Sequence, residues 1–94
     1  MSTLDAIAAK IIKEQELVIG PLAWELAGKV GGLLIDIRKG DVTIVDQQPT
    51  LIVDHLVAQY ERLFGPASRE VCKDAAATLI KSLPPTDVPA SLRI

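Results

Sequence analysis

Two glycine-proline dipeptides, Gly20-Pro21 and Gly65-Pro66, constrain this chain more than any other feature. Each sits at the end of a stretch with helical spacing. Glycine accepts the positive φ that closes a helix at its C-terminus. Proline cannot continue a helix but starts one well, because its missing N–H has no partner in the first turn anyway. Each dipeptide therefore ends one helix and begins the next.

The segments around these corners read accordingly. Leu4, Ile7, Ala8, Ile11 and Ile12, followed by Val18 and Ile19, recur at i, i+3, i+4, i+7, the spacing of one helix face. Ser2 or Thr3 can cap this helix, and Asp5 places a negative charge in its first turn, where the helix dipole favours it. A short second helix spans Pro21–Val30, with Leu22, Ala23, Leu26 and Val30 on one face and Trp24 off that stripe. Gly31-Gly32 ends it. A third helix begins near Pro49-Thr50 and presents Ile52, Val53, Leu56, Val57, Tyr60, Leu63 and Phe64 on one broad face. A fourth, started by Pro66 or Ser68, carries Val71, Cys72, Ala75, Ala76, Leu79, Ile80 and Leu83. The prolines of "PPTDVP" stop it.

Between the helix pairs lies "LLIDIRKGDVTIVD", which alternates like a strand, turns, and alternates again. A two-residue loop at Lys39-Gly40 pairs Ile37 with Val42, Ile35 with Ile44, Leu34 with Val45, Asp36 with Thr43 and Arg38 with Asp41. Every pair then matches in polarity. A three-residue loop with Gly40 in a bulge suits the turn chemistry better, because Lys39 would otherwise need positive φ, but it sets Asp36 against Val42. The polarity pattern favours the two-residue loop. The fold class is α+β: four helices in two Gly-Pro-linked pairs flanking a central β-hairpin, in the order α-α-β-β-α-α. Residues 1–83 form a single domain, and residues 84–94 read as an extended or mobile C-terminal tail.

A lone hairpin is marginal in water, and its edges need charge, proline or a cover. This one is apolar on both faces, with Ile35 and Ile44 on one side and Leu34 and Val45 on the other. The chain is 49% hydrophobic with a mean hydropathy of +0.32, more apolar residue than so small a body readily buries. The economical solution is a homodimer whose hairpins join edge to edge into one four-stranded sheet; the alternative is a monomer with the hairpin tucked under its helices.

Other classes find little support. The net charge is −2 and the ten basic residues never run longer than two, so the concentrated basic face that nucleic acid requires is missing. The N-terminus lacks the pattern of a signal peptide, and no apolar run approaches the ~20 residues of a membrane span. A single cysteine excludes an intramolecular disulfide and fits a reducing compartment. The chain reads as cytoplasmic and complete.

The residues that could carry chemistry are few. Cys72 falls on the apolar face of the fourth helix and reads as core; a catalytic thiol would need His55, the only histidine, which lies on the outer flank of the third helix. Asp54, adjacent to His55, points about 100° away around the helix and forms no acid–base pair with it. Gly31-Gly32 runs from helix into strand, the reverse of a phosphate loop. Asp36, Asp41 and Asp46 around the hairpin suit solubility rather than a carboxylate pair or calcium. No cofactor or metal is expected. Trp24 either packs against the first helix or the tail, or stands out as an anchor for a partner. Val88 and Leu92 give the proline-rich tail apolar points with which to dock on another chain.

The expectation is a small interaction or regulatory subunit, an adaptor without catalytic activity, homodimeric, with a protein partner and no nucleic acid or membrane. Its interface residues would be Leu34, Ile35, Ile44, Val45, Trp24, Val88 and Leu92. The alternative is a small-molecule sensor or carrier with an aliphatic pocket between hairpin and helices. An enzyme using Cys72 or His55 ranks third.

Overall fold

The structure, a computed structural model, describes residues 2–93. Its elements are α1 (Thr3–Ile19), α2 (Leu22–Gly28), β1 (Leu33–Asp36), β2 (Asp41–Ile44), α3 (Pro49–Phe64) and α4 (Pro66–Ile80), then two single 3₁₀ turns, Pro85–Asp87 and Ala90–Leu92. The α-α-β-β-α-α order is that of an α+β fold. Both corners form as the dipeptides require: Gly20 has φ 76° and Gly65 has φ 87°, and each donates its amide to the carbonyl four residues back, Glu16 and Glu61.

Helix α1 is the hub. Its buried face (Ile7, Ala8, Ala9, Ile11, Ile12) meets α2, α3, α4 and β2, and the two alanines let neighbours approach closely. Helices α3 and α4 pack along each other, contributing Ile52, Val53, Leu56, Val57 and Tyr60 from one and Cys72, Ala75 and Ala76 from the other. Cutting a fully buried aliphatic such as Ile11 to alanine in this core costs about 2–5 kcal/mol. Two polar groups are buried with their partners. Tyr60 donates its hydroxyl to the Ala23 carbonyl at 2.6 Å, and Gln15 donates its amide to the Ser68 carbonyl at 3.0 Å. These bonds tie α3 to the start of α2, and α1 to the start of α4. Both Gly-Pro corners therefore lie at one end of the molecule.

The N-terminus of α1 is closed by a capping box. The Ser2 hydroxyl accepts from the Asp5 amide, and the Asp5 carboxylate accepts from the Ser2 amide. The other Asp5 oxygen reaches out of the helix and accepts the Ile44 amide of β2 at 2.8 Å. One side chain thus caps a helix and ties the hairpin to it.

The hairpin differs from the expected register. Leu33 pairs with Ile44, Leu34 with Thr43, Ile35 with Val42 and Asp36 with Asp41, so residues 37–40 make a four-residue turn. The reason is the backbone at Lys39. No residue other than glycine has positive φ among the described residues, and in this turn Gly40 takes it, at 69°. Asp36 helps by accepting the Lys39 amide on its side chain. The cost is Asp36 facing Asp41, and Ile37 moving into the turn at 62% exposure. Because the shift is two residues, each side chain keeps its face. Leu33, Ile35, Val42 and Ile44 pack inward; Leu34 and Thr43 point out.

Helix α2 is shorter than expected and rotated by about one residue. Trp24 is buried at 6% exposure with Ala23, Leu26 and Ala27, while Leu22 stands out at the corner. The largest apolar ring gains most from burial, and the Tyr60 bond to Ala23 holds the helix in that orientation. The third-helix stripe also outruns its core: Leu63 and Phe64 lie exposed beside Gly65.

The C-terminal segment is not an open tail. Residues 84–93 fold back on α3 and α4, burying Val88, Pro89 and Leu92. Asp54 of α3 holds the segment by accepting both the amide and the hydroxyl of Ser91, at 2.9 and 2.5 Å. The segment's two 3₁₀ turns bond the Asp87, Val88, Leu92 and Arg93 amides internally, and the carboxylate takes the Ser91 amide that these turns leave over.

Candidate interaction surfaces

The residues with chemical potential are placed apart. The Cys72 sulfur is fully buried and accepts an amide hydrogen of Gln15 at 3.4 Å. Burial pushes its thiol up to about 11, against the lowering effect of the Gln15 bond, with Glu61 adding to the rise. Burial likewise raises the neighbouring Tyr60 phenol well above its ordinary value, with Cys72 adding to the rise. His55 is exposed on α3. Among the described residues no group of three His, Cys, Asp or Glu side chains is placed to hold a metal ion, and no helix is long and apolar enough to cross a membrane.

The seven expected interface residues divide into three environments. Trp24, Val88 and Leu92 are buried in the chain's own core cluster. The tail residues are buried because Asp54 docks the segment; Trp24 is buried because α2 turns its ring inward. Ile35 and Ile44 are half-buried on the inner face of the hairpin, packed against the core. Leu34 and Val45 project outward at 64% and 62% exposure. The Val45 amide donates to the Gly32 carbonyl at 2.8 Å, so Val45 extends the ladder one pair beyond β2 and lies on the same outer face as Leu34.

The hairpin's two edges are unequal. Helix α1 runs past β2: Asp5 holds the Ile44 amide at one end, and the Lys13 stem lies over Gly40 at the other. On the other side α2 touches β1 without hydrogen-bonding to it among the described residues, and a shallow groove of about 580 Å³, lined by Leu34, Ile35, Ile37, Asp41 and Thr43 among other hairpin residues, opens over the two strands and the turn.

A second apolar surface escaped the sequence reading. Leu17, Val18 and Leu22 around the first corner, and Leu63 and Phe64 at the second, are all exposed, Leu17 at 80%. The signal was available in part. Apolar residues that continue a stripe up to a corner overrun the core when both corners fall at the same end. That coincidence is tertiary.

The expected cleft between hairpin and helices is small, about 230 Å³ beside Ala6, Ala9 and Gly40. A larger open groove, about 950 Å³, runs between α4 and the C-terminal segment; Ala77, Ile80, Val88 and Leu92 line it, with Lys73, Lys81 and Arg93 also present. Comparison of the chain with protein-family models, with curated proteins and with solved structures found no match.

Proposed function

We propose that this chain is a small interaction or regulatory subunit that works as a homodimer, with the hairpin as its assembly element and no chemistry of its own. The observation that carries this reading is the hairpin itself: an outer face with Leu34 and Val45 in solvent, Ile37 exposed in the turn, and a β1 edge whose outward backbone groups carry no hydrogen bond among the described residues. Monomeric proteins blunt such edges with charge or coverage. Here α1 covers β2 and bonds its Ile44 amide, whereas α2 touches β1 and no hydrogen bond joins them among the described residues. Joining two hairpins removes the free edge and merges two small apolar faces into one sheet surface large enough to meet a protein partner. The burial of Cys72 and the separate placement of His55 favour binding over catalysis.

Light scattering after gel filtration tests the proposal. A dimer mass across the micromolar range supports it, and a clean monomer at high micromolar concentration overturns it.

The groove between α4 and the C-terminal segment favours a second reading, a small-molecule carrier or sensor. Its apolar walls and its volume fall within the range of ligand sites. This places the pocket away from the hairpin. A thermal-shift screen checks it: a ligand that raises the melting temperature by several degrees, with the shift lost on Ala77→Trp, supports a site there.

A further inference from the structure

We infer that two copies join through β1, antiparallel, about a two-fold axis passing beside Leu34. This rests on the dimer reading above and specifies its geometry.

Hydrogen-bond parity comes first. The Val45 amide bonds to the Gly32 carbonyl, which makes Gly32 and Val45 a hydrogen-bonded pair of the ladder. Bonded and non-bonded pairs alternate along an antiparallel ladder. Leu34–Thr43 is therefore the next bonded pair, and Leu33 and Ile35 direct their amides and carbonyls away from β2. Of the two outward residues on the other strand, Ile44 has its amide held by Asp5 and Val42 is fully buried. The backbone groups free to meet another strand are those of β1.

The register follows from charge. A symmetric antiparallel pair must match outward residues with outward residues, so the axis passes through a residue of β1 and not between two. An axis at Asp36 sets two carboxylates directly opposite each other and draws turn residues 37–40 into the strand. An axis at Ile35 sets Leu34 against Asp36 of the second copy. An axis at Leu34 sets Leu34 against its own copy and Asp36 against Gly32. Leu33 and Ile35 then exchange hydrogen bonds across the axis. An axis at Leu33 also keeps the carboxylates apart but sets Leu34 against Gly32, so the register centred on Leu34 best joins separated charge with paired apolar side chains, the two conditions that decide cross-strand pairing.

The result is a four-stranded sheet in the order β2-β1-β1-β2. On its outer face the two Leu34 side chains meet at the centre, each with Thr43 opposite it on its own β2 and Val45 diagonal to it. The Leu34 pair with these diagonal valines is the apolar surface the dimer offers to a partner.

Cysteine cross-linking reads the geometry directly. Leu34 is well exposed, so Leu34→Cys leaves the fold intact, and the native Cys72 is buried. Opposed residues in a non-hydrogen-bonded pair have Cβ atoms about 4.5–5.5 Å apart, close enough to bridge with slight adjustment. Leu34→Cys is expected to form a covalent dimer rapidly under mild oxidation. Asp36→Cys, displaced from its copy by roughly 13 Å along the strands, and Thr43→Cys, one strand farther out, are expected to stay monomeric on a non-reducing gel. Leu34→Lys is expected to turn the dimer into a folded monomer by light scattering, and Thr43→Lys to leave it dimeric. Faster cross-linking by Asp36→Cys overturns the register, and by Thr43→Cys overturns the choice of edge. A wild-type dimer in which Leu34→Cys fails to cross-link overturns the geometry but leaves the dimer standing. A wild-type monomer overturns the reading on which it rests.

Discussion

Asp5→Ala is the most informative single substitution in this fold. Asp5 is 9% exposed and makes two backbone contacts: it accepts the Ser2 amide at 3.3 Å within α1, and the Ile44 amide at 2.8 Å across to β2. Alanine removes both. The Ile44 amide, held between the sheet edge and the helix, loses its acceptor, at a cost of about 1–3 kcal/mol. The first turn of α1 also loses a negative charge worth about 0.3–1 kcal/mol. Together these come to roughly 2–3 kcal/mol, a large share of the ~5–15 kcal/mol that holds a small domain folded. With a urea slope near 1 kcal/mol/M for a small protein, the unfolding midpoint falls by about 2 M at fixed protein concentration. Asp5→Asn is the control. It keeps one oxygen, which can still hold the Ile44 amide, and loses the charge and the second acceptor that closes the capping box on the Ser2 amide, so it costs about 1 kcal/mol, less than alanine. Hydrogen exchange gives a local readout: the Ile44 amide loses protection in the alanine variant and keeps it in the asparagine variant. A midpoint for Asp5→Ala within about 0.5 M of wild type, or equal losses in both variants, refutes the claim that this carboxylate couples helix to hairpin.

Three further outcomes are expected. The Cys72 thiol stays unlabelled by a thiol reagent in the folded protein. Its raised value also has a sign: the folded chain holds the proton up to about pH 11 where the unfolded chain releases it near 9, so the Cys72 contribution to stability is constant below pH 9 and declines from 9 to 11. Urea titrations of wild type and Cys72→Ala from pH 9 to 10 check the decline, because the alanine variant lacks it and the raised Tyr60 phenol begins to cost stability only above its ordinary value of 10.0. Gly32→Ala destabilises by about 1–3 kcal/mol, since φ is 91° and the new Cβ falls 2.8 Å from Ile52 Cδ1, whereas Gly28→Ala, with open space and a helical backbone, stabilises by about 0.5–1 kcal/mol; both are read from thermal or urea melts. Asp54→Ala releases the C-terminal segment by removing both bonds to Ser91, and limited proteolysis then cuts within residues 84–93 at least tenfold faster than in wild type.

How much was legible beforehand depended on how local the deciding interaction is. The helix boundaries at Gly20 and Gly65 follow from backbone sterics within a few residues, so they could be read directly. The inward face of α1 follows from 3.6-residue periodicity. The hairpin's faces could be read for the same kind of reason, but its register could not. Side-chain polarity repeats every two residues, so pairings that differ by two look alike to it. What separated them was the φ available to Lys39 and the Asp36 bond to its amide.

The candidate surfaces split along the same line. Leu34 and Val45 could be identified as outward-facing because alternation alone puts them there. Trp24, Val88 and Leu92 could not be placed, because their burial depends on partners far along the chain: Tyr60 orients α2, and Asp54 docks the C-terminal segment. The element order, the two corners and the two-sided apolar hairpin each follow from short-range sterics and periodicity along the chain. The bonding of the β2 edge to α1 does not, because it rests on one Asp5 oxygen reaching 39 residues along the chain to an amide of β2.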